Sequence, residues 1–228
     1  MTTAAPGIDE PGAARAIVDL LGVLAYGELS AFDRLSEDAR AAPTLAGRAT
    51  LSKIAAAEMG HFILLEEHLS GMGVAVEDAM VPFVATWDSY HASTAPRSWL
   101  ESIVKVYLGD GLAADFYREV AAFLDRGTRD LVIDSLEESG QSRFVIDRVR
   151  AAIEADHRVG GRLALWGRRL MGEALSQAQR VAAERDALTA LLAGGIDRPG
   201  MDLAALSRMF ARLTENHTKR MDELGLES

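Results

Sequence analysis

The 228-residue chain has no cysteine, six prolines and only 6% aromatic residues. Without cysteine there is no disulfide scaffold, no thiolate zinc or iron–sulfur site and no thiol nucleophile. No apolar run approaches the roughly 20 residues that a membrane-spanning helix needs. The first ten residues, Met1-Thr-Thr-Ala-Ala-Pro-Gly-Ile-Asp-Glu, carry neither a basic region nor an apolar stretch, so no signal peptide is expected and the cytoplasm is the expected compartment. Glycine-rich phosphate loops, a Ser/His/Asp set and a strand-borne dinucleotide fingerprint are missing as well.

What is present is helix. Hydrophobic residues make up 49% of the chain, enough for a large core, and they recur at intervals of three and four with no run of period two. Residues 1–11 are expected to be a disordered lead. A first helix is expected from Gly12, after Pro11, to Ala42, stopped by Pro43, and a second from Thr44 to Ser70, ended by Gly71-Met72-Gly73. Val74 to Ala95 reads as a long, partly helical crossover. Pro96 opens a third helix that ends near Asp125. A fourth is expected from about Thr128 to Arg169, with bends at Gly140 and Gly160-Gly161. Two further amphipathic segments, about 172–193 and 202–224, follow. The expected architecture is all-α: a four-helix bundle over residues 12–170 with one long crossover between its second and third helices, and a C-terminal helical hairpin over 171–228.

Three helices place a carboxylate on the stripe that should face the bundle axis. In the first the stripe is Ile17, Leu21, Leu24, Glu28, Leu35; in the second it is Leu51, Ile54, Glu58, Phe62, Leu65, with His61 one turn above Glu58; in the third, Ile103, Tyr107, Asp110, Ala114, Tyr117. A buried carboxylate without a partner is unfavourable by several kcal/mol, and three together repel. Glu28 lies about 14 residues before the first turn and Glu58 about 16 after it, so at 1.5 Å per residue the two meet at one level. A shared metal ion is the simplest cation that would satisfy all three.

Glu28, Glu58-Met-Gly-His61 and a carboxylate on the third helix make the chain resemble the carboxylate-bridged di-iron proteins of the ferritin-like superfamily. Within it, the chain is similar to an actinobacterial branch related to the bacterial tRNA hydroxylases that oxidise the isopentenyl group of methylthio-isopentenyl adenosine. The resemblance implies two iron ions and oxygen-dependent hydroxylation of an unactivated C–H bond. It also implies a second Glu-x-x-His on the fourth helix. A literal one exists at Glu154-Ala-Asp-His157, but the spacing from Asp110 to Glu154 is 44 residues, against 30 from Glu28 to Glu58. Glu138-Ser-Gly-Gln141 fits the depth better, with Gln141 where the family has histidine. The expected metal residues are therefore Glu28, Glu58, His61, Asp110 and Glu138. Glu154 and His157 are the alternative if residues 128–139 form a separate short helix.

The formal charge of −10 argues against general nucleic-acid binding, but it is uneven. Residues 1–142 hold 22 acids and 10 bases, whereas 143–169 hold 3 acids and 7 arginines. Arg143, Arg148, Arg150, Arg158, Arg162, Arg168 and Arg169 are the surface through which tRNA, the partner implied by resemblance, would bind. A homo-oligomer, most simply a dimer, is expected. The alternative function is an iron-binding or degenerate bundle acting in interactions. His68, His91 and His217 read as hydrogen-bonded core or surface histidines.

Overall fold

A computed structural model describes residues 10–136, 141–194 and 201–227. All regular structure among them is helical, and the expected all-α bundle with a long crossover is observed. The first helix, α1 (Glu10–Ala41), carries Pro11 in its opening turn, where no N–H is needed, and stops short of Pro43. The second, α2 (Leu45–Gly71), is capped by Thr44, whose hydroxyl accepts from the Gly47 N–H at 3.1 Å. It ends on Gly73, at φ 77°, with the Val74 N–H returning to the Leu69 carbonyl at 2.9 Å. That left-handed residue is what lets the chain turn sharply into the crossover. The expected lead lies almost wholly in residues 1–9, outside the described residues.

The crossover is α3 (Val76–Met80), a 3-10 turn (Val81–Phe83) and α4 (Val84–Ser93). It runs along α1 at close range. A Cβ on Gly22 would stand 2.2 Å from the Ala79 carbonyl oxygen, and one on Gly27 3.0 Å from the Trp87 ring. Tyr26 completes the contact by donating to Asp88 at 3.2 Å. Ser98 then caps α5 (Trp99–Ala121) by accepting from the Glu101 N–H. This helix runs antiparallel to α1: the indole of Trp99 donates to the Asp38 carbonyl near the end of α1, while Tyr117 packs among Leu20, Leu21 and Leu24 near its start.

The fourth side of the bundle is two helices. One is α6 (Arg126–Asp134), capped by Asp125, and the other is α7 (Gln141–Ala155); both pack on α5 and α2. The long α8 (Arg158–Glu184) lies on α4 and α5 and passes position 170 without a break. It is followed by α9 (Asp186–Gly194), packed on α1, and α10 (Leu203–Glu223), packed on α5 and α8. Ion pairs tie these segments down: Arg185 to Asp19 of α1, Arg220 to Asp115 at 2.8 Å and Arg212 to Glu119 at 2.6 Å, both of α5. No single helix among the described residues is long and apolar enough to cross a membrane.

Candidate metal centre

The α1–α2 hairpin brings Glu28, Glu58 and His61 together. Their ligating atoms all lie within 4.8 Å of one another. The Nδ1 of His61 stands 3.6 Å from a Glu28 oxygen and 3.8 Å from a Glu58 oxygen. Both glutamates are buried, 9% and 8% exposed, because each sits four residues, one helical step, from Leu24 or Ile54 in the core stripe. His61 Nδ1 is itself buried and has no hydrogen-bond partner among the described residues.

The electrostatics follow from that crowding. Burial pushes the Glu28 carboxyl well above the usual carboxylate range, aided by the neighbouring Glu58 and opposed by His61. The two carboxylates in turn push His61 up to about 10 against its own desolvation. In the metal-free chain an imidazolium therefore serves as the counter-ion of the site. Tyr117, buried at the cavity wall, is pushed up by burial and by the charge of Glu28, which places the α5 wall of the site at Tyr117.

These donors fit a metal ion. Ligands at about 2.1 Å from a metal stand about 3.0–3.6 Å from one another, so a contraction of at most about 1–2 Å between donors closes the set. Two carboxylates and one imidazole suit a borderline divalent ion such as Fe(II). A buried nitrogen with no partner is the kind of group a metal would satisfy.

The other expected residues are placed differently. Asp110 lies on the wall of the same cavity but outside the 4.8 Å cluster. Its negative charge acts on the Tyr90 phenol, on the crossover. A turn sets the depth of Glu28 against Glu58, but the depth of α5 is set by how the crossover lays it on α1, and that puts Tyr117 rather than Asp110 beside Glu28. The buried acid of α5 is Asp115, which pairs with Arg220 and Arg118. Glu138 lies outside the described residues, as does the side chain of Gln141, the first residue of α7. The literal Glu154–His157 motif is split between the last turn of α7 and the residue capping α8, and both side chains are exposed. It is not part of the cluster, although α6 is indeed the separate short helix that would have favoured it.

The site opens on a cavity of about 1240 Å³, above the usual range for small-molecule pockets. Leu24, Leu35 and Val106 line it from the bundle, and Leu175, Leu188 and Leu213 from the C-terminal helices. Tyr107 and Tyr117 line it from α5, whereas Phe62, partly buried, packs against the core. Of the seven arginines, three hold the fold: Arg150 donates to the Glu223 carbonyl, Arg168 to Glu227 and Arg169 to Ser93.

The bundle, its crossover and a buried Glu-Glu-His set define a helical protein of the ferritin-like class with a candidate metal centre between its first two helices. The chain belongs to the family described as the ferritin-like domain of actinomycetes, whose pattern covers residues 12–195. That span extends beyond residue 170 and takes in α8 and α9. No curated protein matches the chain.

Proposed function

We propose that this protein binds iron through Glu28, Glu58 and His61 and hydroxylates an apolar molecule held in the adjoining cavity with dioxygen. The convergence of two buried carboxylates on a buried imidazole nitrogen that makes no hydrogen bond among the described residues is the observation that carries this reading. Bound iron would supply the activation of dioxygen, which protein side chains lack. The chain's own part is to present the three donors, with His61 giving up its proton to become a ligand. Leu24 and Tyr117 keep bulk water from the site, and the cavity positions a substrate against it. Glu138 would complete a second iron position.

The test is anaerobic reconstitution with Fe(II), iron analysis and oxygen uptake. The expected result is one to two iron ions per chain and oxygen consumption by the ferrous protein. A chain that retains no iron overturns the reading. A nucleic-acid substrate, suggested by the family resemblance, would rest on the arginines not tied to backbone carbonyls: Arg143, Arg148, Arg158 and Arg162. Such binding should weaken steeply with salt. The non-catalytic alternative has one observation in its favour, the position of Asp110 outside the cluster; iron binding without oxygen uptake would establish it.

A further inference from the structure

The outward face of α2 is apolar where solvent should meet it. Between Lys53 and Glu67, both exposed, the exposed residues are Ala56, Gly60, Ile63 and Leu64, and none is charged. Ile63 and Leu64 are 44% and 42% exposed. The six positions share one stripe, since seven residues carry a helix through almost two full turns. A solvent-facing stripe is ordinarily polar or charged, as the exposed Arg158, Arg162, Arg168 and Arg169 of α8 are. An apolar stretch in its place marks a contact surface.

Gly60 lies at the middle of this stripe, and a Cβ there would meet nothing within 4 Å. Packing inside the chain therefore does not require glycine, which weakens a helix interior relative to alanine. What the missing side chain allows is the close approach of a second helix.

The charges have the symmetry of a self-complementary face. Lys53 lies seven residues before Gly60 and Glu67 seven after it. Neither has an ion pair within the chain among the described residues, and the residues three and four away from each are uncharged. If two α2 helices cross antiparallel about a two-fold axis at Gly60, each residue faces the one equally far on the other side of that glycine. Lys53 then meets the partner's Glu67, Glu67 meets the partner's Lys53, and the apolar residues meet between them. A parallel pair would set lysine against lysine and glutamate against glutamate.

We propose that the stripe from Lys53 to Glu67 is the surface on which two copies of this chain pair, antiparallel about a two-fold axis at Gly60. Because Gly60 lies between Glu58 and His61, the two candidate metal centres would stand at one level on opposite sides of the paired helices. The proposal needs neither iron nor the cavity, so it stands or falls apart from the reading of the metal centre.

The experiment uses the full-length, metal-free chain in sedimentation velocity at low salt, as wild type, G60E, K53E and K53E/E67K. Between about 1 and 100 µM the wild type is expected to show a monomer–dimer equilibrium with a micromolar dissociation constant, as suits a small interface. A glutamate at 60 has open space in its own chain but meets its own copy at the axis, so G60E should keep the wild-type circular dichroism and stay monomeric. K53E sets like charges together twice and should weaken pairing about tenfold. K53E/E67K restores both pairs in reverse and should return to within about threefold of the wild type. A wild type that is monomeric at 100 µM overturns the proposal and leaves the stripe to a different protein. A dimeric G60E overturns it by placing the interface elsewhere, and a double variant that pairs no better than K53E overturns the antiparallel register on which it stands. If G60E does not fold, the wild type and the two charge variants decide it alone.

Discussion

The two ends of the cavity hold a histidine each, and the two titrate in opposite directions. His61 is pushed up to about 10 by Glu28 and Glu58, while His91 is pushed down to about 3 by burial beside Lys105 and Arg34. Both lie within one chamber and both carry a buried ring nitrogen without a hydrogen-bond partner. Burial disfavours the charged form of both rings; two acids overcome it at His61, whereas Lys105 and Arg34 add to it at His91. The acidic end is suited to take a cation.

The contrast breaks most completely at the acidic end. His61→Ala leaves two buried carboxylates facing each other, so it should abolish stoichiometric iron binding and destabilise the metal-free chain by about 3 kcal/mol. Metal analysis and urea melts check both. The double variant Glu28→Ala/His61→Ala removes the repulsion as well, and should be more stable than His61→Ala alone.

Next in size is Gly22→Ala, which adds a methyl group where only 2.2 Å separate it from the Ala79 carbonyl oxygen. Because both atoms belong to or extend directly from backbone, the crossover must shift, at a cost of about 2 kcal/mol or more. A lower midpoint in urea melts is expected while iron binding persists.

A pH series sharpens the basic end. Lys105 is held at about 8 in the folded chain against 10.5 for the free side chain, by burial first and by Arg34 second. The unfolded chain therefore carries the extra proton between those values, and folding is penalised below pH 8. As pH rises from 8 to 10.5 the wild type should gain stability relative to Lys105→Met, by on the order of 1–2 kcal/mol. Urea melts at both limits read the difference. The smallest effect belongs to the exposed motif: Glu154→Gln with His157→Ala should leave iron content unchanged and stability within about 0.5 kcal/mol.

The pattern of residues alone was enough for the acidic end. Glu28 and Glu58 interrupt apolar stripes on two helices joined by a short turn, and a short turn makes depth countable at 1.5 Å per residue. Asp110 has no such turn to α1, which is why its expected place in the cluster was not met. The two-helix fourth side has the same origin, since counting forward from Gly127 assumes one unbroken helix. His91 and Lys105 carried no readable signal: neither interrupts a stripe, and they are fourteen residues apart with a helix start between them.

The sequence by itself determined an all-helical chain, the position of its crossover and a Glu-Glu-His set facing inward from two adjacent helices, because helical period and turn chemistry are local. Tertiary structure decided which wall faces that set, that α8, α9 and α10 close a single cavity over it, and that a basic end lies further along α1. Those features depend on how the crossover packs against Gly22 and Gly27 and on ion pairs such as Arg220–Asp115, which join residues far apart in the chain.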